Sequence, residues 1–148
     1  MSATDRNLTA AHAEVKAEIT RTDTKTALLL AFVGAVLAGT WTAARDLPLT
    51  VPAVILGGLG LALLVGAAGL LLRSVRPNLG GRHGFPLWAT LSAEEIGAAV
   101  AGDLAADVAG LSRIAVAKFT RLRRAVDLTM VGGALLIVAA LVTAGGAA

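Results

Sequence analysis

Three long runs without a charged residue dominate the pattern of apolar and polar positions. They cover residues 27–44, 51–72 and 128–144. At a rise of 1.5 Å per residue, these lengths are close to or above what a helix needs to cross a hydrocarbon core of about 30 Å. The sequence therefore predicts an all-α integral membrane protein with three transmembrane helices.

Residues 1–26 show a different pattern. Their apolar side chains recur at spacings of three and four, at Leu8, Ala11, Val15 and Ile19. This periodicity predicts an amphipathic helix. Four acidic residues balance four basic residues in this leader, so a purely electrostatic attachment to lipid is not expected. We interpret the leader as a helix that packs on protein.

The segment 73–127, between the second and third runs, has two parts. Up to Trp88 it is rich in proline and glycine, which predicts an irregular loop. Ser92 is then followed three residues later by Glu95, the spacing of a capping box that begins a helix. The apolar positions of this helix are Ile96, Val100, Leu104, Val108, Leu111 and Ala115. No proline follows, so the helix can continue into the third span over about 50 residues unless a glycine breaks it.

The composition agrees with a membrane protein. Apolar residues occupy 56% of the 148 positions and charged residues 16%, whereas soluble domains have roughly 25% charged residues. The length allows one domain, so residues 1–148 are interpreted as a single membrane domain. The absence of cysteine from the sequence excludes disulfides, thiolate nucleophiles and cysteine metal sites.

The basic residues predict an orientation. Four precede the first span, eight lie between the second and third, and only Arg45 lies between the first and second. Because basic segments are retained in the cytoplasm, this split of 12 to one predicts a cytoplasmic N-terminus, a cytoplasmic segment 73–127 and an external C-terminus. The same rule accounts for the net charge of +3, so we expect no nucleic acid partner.

Small residues recur at every fourth position on two predicted helices. Such stripes allow close approach of a neighbouring helix in lipid. We therefore expect a homo-oligomer, with packing inside one chain as the alternative. The two stripes consist of Gly58, Ala62 and Gly66, and of Ala98, Gly102, Ala106 and Gly110.

The chain offers little for catalysis or transport. It contains no HExxH, GxSxG or P-loop motif, and the three runs contain no ionisable residue. His12 and His83 each lack a second histidine at metal-ligand spacing. Asp103 and Asp107 are typical of a solvated helix face. We expect no catalytic residue, no metal and no cofactor, and we do not expect an enzyme.

Two charged segments, residues 21–25 and 118–124, lie directly before the first and third spans. Their basic residues are expected from orientation and from snorkelling of long side chains. Asp23 is different, because an acid at the cytoplasmic face gains nothing from the orientation rule. A cationic partner would explain it and would tie the segments together. The candidate partners are Lys25, Arg121 and Arg124.

These segments also resemble a known family. The stretch TDTKTALLL from Thr22 to Leu30 resembles the A-D-x-K-A motif that opens the first membrane helix of the Pycsar effector transmembrane family. Threonine stands at 22 and 26 where the family usually has alanine. The stretch KFTRLRRA from Lys118 to Ala125 is similar to the basic segment before the last helix of that family. Size and layout agree over nearly the whole chain.

The resemblance implies an antiphage defence effector of the bacterial inner membrane. In such a system a pyrimidine cyclase makes cyclic UMP or cyclic CMP on infection. The effector responds by disrupting the membrane, so that the infected cell dies before phage mature. The expected partners are the lipid bilayer, further copies of the chain and, functionally, the cyclase. The alternative is a structural or scaffolding membrane protein that binds a protein partner through its cytoplasmic helices.

A direct nucleotide site is expected at the cytoplasmic boundary of the membrane. The phosphate carries one negative charge and needs a cationic donor, for which the planar arginine side chain is well suited. Asp23 would hold the basic residues apart or accept a hydrogen bond from the ligand. The chain lacks the β-roll of the usual cyclic-nucleotide domain, so this site would be built between helices. The candidate residues are Arg21, Asp23, Lys25, Lys118, Arg121 and Arg124.

Overall fold

A computed structural model describes residues 3–76, 89–100 and 104–146, and in these ranges the chain is helical and contains no strand. The four helices are α1 (Ala3–Asp46), α2 (Val51–Val75), α3 (Ala93–Val100) and α4 (Leu104–Gly146). Helices α1, α2 and α4 each contain a stretch long and apolar enough to cross a membrane. The predicted fold class is confirmed.

Two of the spanning helices extend far beyond their apolar runs. Helix α1 has 44 residues and includes both the leader and the first span. Helix α4 has 43 residues and joins the segment from Leu104 to the third span without a break. Neither helix contains a proline, and both are rich in alanine and leucine, which are strong helix formers. Residues 101–103 lie outside the described residues, and with them the predicted continuity between α3 and α4.

The predicted loop from Arg73 is wrong in its first residues. Arg73–Val75 form the last turn of α2, because nothing before Pro77 interrupts the backbone hydrogen bonds of the helix. The residue before a proline is disfavoured in helical geometry, which agrees with the end of α2 at Val75. The rest of the predicted loop, residues 77–88, lies outside the described residues.

The predicted capping box at the start of α3 is confirmed. The backbone amide of Ser92 donates to Glu95 Oε2 at 2.8 Å, and the amide of Glu95 donates to Ser92 Oγ at 3.3 Å. Two amides at the helix start therefore have partners. The hydrogen bond from the Ser92 backbone amide, assisted by the Ser92 side chain, lowers the pKa of Glu95 from its ordinary value.

The chain forms two compact units, which we call the leader unit (Met1–Asp23 and Arg76–Phe119) and the span unit (Thr24–Val75 and Thr120–Ala148). In the leader unit the predicted apolar stripe of the leader is half-buried. The described part of α4 in this unit has a half-buried stripe of its own. That stripe includes Val108, Leu111 and Ala115.

The core of the span unit lies where α1, α2 and α4 meet. Ala67, Leu71 and Ala125 are fully buried there. Five leucines pack around them: Leu29, Leu30, Leu70, Leu122 and Leu128. Ala125 is the last residue of the stretch KFTRLRRA, so that stretch contributes a core residue as well as charges.

Helices α2 and α4 make backbone contact at Gly60 and Gly132. A Cβ added at Gly60 would lie 2.8 Å from the Gly132 carbonyl oxygen, and one added at Gly132 would lie 2.9 Å from the Gly60 carbonyl oxygen. Real Cβ atoms essentially never come so close to another atom. Only glycine fits at either position without a shift of the backbone.

The outer surface of the span unit is apolar. Large side chains on all three spanning helices are more than half exposed, including Leu28, Phe32, Val54, Ile55, Leu59, Met130, Ile137 and Leu141. An apolar surface of this extent marks a membrane or protein interaction site. Together with the three uncharged runs, it identifies a multi-pass membrane protein.

Three threonine hydroxyls in the spans bond to their own helices. Thr42, Thr129 and Thr143 each donate to the carbonyl oxygen four residues earlier, at 3.0, 2.8 and 2.9 Å. This bond satisfies a hydroxyl that would otherwise be costly in an apolar environment. Thr143 is buried and is satisfied in the same way.

Candidate functional site

In the leader unit, an ion pair between Lys118 and Asp23 joins two helices. Lys118 Nζ donates to Asp23 Oδ1 at 2.6 Å, which joins α4 to the leader half of α1. The Lys118 side chain is 19% exposed and that of Asp23 is 41% exposed. Asp23 therefore has the cationic partner that the sequence required. The partner is Lys118, not Lys25, Arg121 or Arg124, so the predicted link between the segments is present but through a different residue.

The residues beside Asp23 fix its position on α1. Thr22 is buried, and its hydroxyl donates to the Glu18 carbonyl oxygen at 2.8 Å. A small side chain is needed at such a buried position, and the hydroxyl of threonine is satisfied by the bond to its own helix. With Thr22 packed inward, Asp23 lies at the edge of the packed face. Its carboxylate can then meet Lys118 while staying partly in contact with solvent.

The other predicted site residues are exposed. Arg21 is 73% exposed and approaches Glu18 at 3.6 Å. Such a surface pair contributes at most about 1 kcal/mol. In the span unit, Lys25, Arg121 and Arg124 are all exposed. The structure thus brings together two of the six candidates, Asp23 and Lys118, and leaves the remaining four as surface cations.

The small-residue stripes have different locations. Gly58 and Ala62 are exposed, and a Cβ added at Gly58 would meet no atom within 4 Å. Gly66 is also exposed, and its added Cβ would be at an ordinary 3.8 Å from Leu128. Contact between helices within the chain uses another face of α2, which contains Gly60. Ala106 is exposed on α4, and Gly102 lies outside the described residues.

Within the part of the chain that the structure describes, no group of three or more histidine, aspartate or glutamate side chains could hold a metal ion. In the described leader unit, Lys118 and Asp23 pair between two helices, and Arg21 and Glu18 pair within α1. What the arrangement can do chemically is to exchange one anion for another at Lys118, because its ammonium is only partly buried and its carboxylate partner is accessible from solvent.

These features define a class: a helical multi-pass membrane protein whose leader helix is fastened to its last spanning helix by a charge pair. Comparison with known proteins gives the family. The model of the Pycsar effector protein domain matches residues 7–145. The chain therefore belongs to the Pycsar effector family, an effector family and not a recognised family of enzymes. No curated protein and no solved structure matches the chain.

Sequence reasoning missed two features. It did not choose Lys118 as the partner of Asp23, although it placed both in the charged segments. It also did not single out Gly60 and Gly132, which lie outside the stripes of every fourth residue on α2 and α4. A signal existed in both cases. Lys118 is the first basic residue of its segment, and Gly132 is the first of two adjacent glycines within an otherwise apolar span.

Proposed function

We propose that this protein is an antiphage effector that responds to a cyclic pyrimidine nucleotide by disrupting the bacterial inner membrane, which leads to abortive infection. The observation that carries the proposal is the family match over residues 7–145. The structure supports it with three helices able to cross a membrane and with the Asp23–Lys118 pair, which joins both segments that carry the family resemblance.

In the proposed mechanism the nucleotide acts on this ion pair. The phosphate of cyclic UMP or cyclic CMP competes with the Asp23 carboxylate for Lys118, and Arg21 on the same helix supplies further positive charge. Charge-assisted hydrogen bonds to phosphate are strong enough to replace a partly exposed ion pair. Release of Asp23 then loosens the leader from α4.

The signal reaches the membrane along the helices themselves. Helix α1 continues from the leader into the first span, and α4 continues into the third. A change in the pairing of their leader-unit parts therefore changes the strain on two of three spans. Ligand binding can shift such an equilibrium only by its different affinity for the two states. Lys118, paired in one state and bound to phosphate in the other, provides that difference.

Membrane disruption requires several copies, because three helices do not enclose a channel. The exposed face of α2 with Gly58, Ala62 and Gly66 is a contact surface for a homo-oligomer in this proposal, since small side chains allow close approach of helices in lipid. The described spans contain no ionisable side chain to line a polar path within one chain. A gap that opens between copies of the protein disrupts the bilayer even though no single chain contains a polar path.

The orientation is a first prediction. A reporter fused after Ala148 is expected to be active only outside the cytoplasm, and the same reporter inserted after Asp46, between the first two spans, is also expected outside. A reporter at Gly81 is expected to be cytoplasmic. Paired alkaline phosphatase and fluorescent protein fusions measure this. If Ala148 and Gly81 report the same side, the third span does not cross the membrane.

The functional test is co-expression with a pyrimidine cyclase. Membrane potential, followed with a voltage-sensitive dye, is expected to collapse when the active cyclase is induced, and not with a catalytically inactive cyclase. Binding of cyclic UMP and cyclic CMP to the purified protein is measured in parallel. A stable potential in cells that make the nucleotide would refute the effector mechanism and would favour the scaffolding alternative.

A further inference from the structure

A cleft between α2 and α4 lies at the membrane boundary of the span unit. It has a volume of about 400 Å³ and is lined by Leu70, Leu128 and Val131, with Arg124 and Asp127 at its charged end. The three apolar residues belong to the uncharged spans, whereas the two charged residues directly precede the third span. Whatever fills this cleft must therefore have an apolar part in the bilayer and a polar part at its surface.

The charged end has both signs. Arg124 and Asp127 are three residues apart on α4, so their side chains are neighbours on the helix surface. Both are exposed, yet within the described part of the chain neither takes part in an ion pair. A basic residue that precedes an acidic one is the less favourable order for pairing along a helix. A carboxylate at the start of an apolar span is costly unless a cation compensates it.

We propose that this cleft binds a phospholipid whose headgroup carries a phosphate and a primary ammonium, the phosphatidylethanolamine class. Arg124 donates hydrogen bonds to the phosphate, and the Asp127 carboxylate accepts one from the ammonium. One acyl chain lies on Leu70, Leu128 and Val131. This assignment is independent of the nucleotide response, and it gives Arg124 a lipid phosphate as its anion.

Charge complementarity decides between the phospholipid classes. An anionic headgroup such as phosphatidylglycerol satisfies Arg124 but has no cation for Asp127. Phosphatidylcholine has the positive charge, but its quaternary ammonium has no N–H group to donate. The other exposed cations of this boundary, Arg73, Arg121 and Arg123, attract anionic lipid in general. A preference for phosphatidylethanolamine over phosphatidylglycerol therefore depends on Asp127.

The test uses the purified full chain in detergent and lipids with identical acyl chains. Binding is measured by native mass spectrometry for phosphatidylethanolamine, its mono- and dimethylated forms, phosphatidylcholine and phosphatidylglycerol. We expect affinity to fall with each added methyl group, with a total loss of about fivefold, as for a solvent-accessible charged contact. This series needs no variant of the protein, so its outcome does not depend on folding of a mutant.

Variants then assign the contacts. Asp127→Asn is expected to remove the preference for ethanolamine over choline and to raise binding of phosphatidylglycerol. Arg124→Gln is expected to weaken binding of all phospholipids by about fivefold. Arg123→Gln is the matched control, because it removes the same charge next to the cleft without lining it, and it is expected to keep the preference.

Three outcomes would overturn the assignment. Equal affinity along the methylation series removes the role of the ammonium. A preference for phosphatidylglycerol in the wild type means that bulk positive charge governs lipid binding. Displacement of phosphatidylethanolamine by cyclic CMP assigns Arg124 to the nucleotide instead. None of these results alters the cyclase-dependent change in membrane potential, so the lipid site and the proposed function can fail separately.

Discussion

Replacement of Gly60 with valine is expected to disrupt packing of the span unit. The first added carbon would lie 2.8 Å from the backbone oxygen of Gly132, and a backbone atom in a helix cannot move aside as the end of a side chain can. Overpacking of this kind costs about 3 kcal/mol, a large part of the stability of a small protein. Thermal unfolding of the purified protein in detergent and its amount in the membrane measure the effect.

Gly58→Val is the matched control for this prediction. It adds the same side chain two residues earlier on α2, where an added Cβ would meet nothing within 4 Å. We expect the Gly58 variant to fold as the wild type does. Its crosslinking between copies and its cyclase-dependent toxicity are expected to fall, because the added bulk separates helices at the proposed oligomer surface. Equal stability of the two variants would contradict the backbone contact at Gly60.

Asp23→Asn is expected to make the protein toxic without a cyclase. The change breaks the ion pair with Lys118 and removes an interaction of about 1 kcal/mol, which shifts a two-state equilibrium roughly fivefold toward the released leader. Growth and membrane potential in cells without the cyclase measure this shift. The double exchange Asp23→Lys with Lys118→Asp restores a charge pair of opposite sense and is expected to suppress the toxicity.

Glu18→Gln serves as the control for that experiment. It removes an acid from the same helix, and the partner of that acid, Arg21, is largely exposed, so little change is expected. If Asp23→Asn resembles this control and the double exchange has no effect, the pair contributes to structure only.

Lys118→Met separates the two roles of Lys118 further, because it breaks the ion pair with Asp23 and also removes the proposed phosphate contact. We expect the Lys118→Met variant to show no change in membrane potential when the nucleotide is made.

The three spans and the capping box could be predicted because both depend on local sequence. Ser92 and Glu95, three residues apart, form the predicted hydrogen bonds. Side-chain contacts between different helices could not be predicted in the same way. The Asp23–Lys118 pair joins residues 95 positions apart, and its choice among several nearby cations depends on the rotation of two helices about their axes. In the leader unit, that rotation is set by packing at positions such as Thr22, which is buried.

The two motif positions that differ from the family pattern have a physical explanation. Thr22 and Thr26 are both fully buried, so each position needs a small side chain, and alanine or threonine can satisfy that need. Threonine adds a hydroxyl, which at Thr22 bonds to the preceding turn. Threonine at these positions therefore keeps the packing and leaves Asp23, which follows Thr22, free to pair with Lys118.

Three threonines of the spans bear on whether the folded protein can reside in the membrane before infection. Thr42, Thr129 and Thr143 direct their hydroxyls to carbonyl oxygens of their own helices, so these groups offer no continuous file of sites along which water could carry protons. In the proposed effector mechanism, the cell therefore keeps a supply of the protein in its membrane before infection, and killing needs no new protein synthesis.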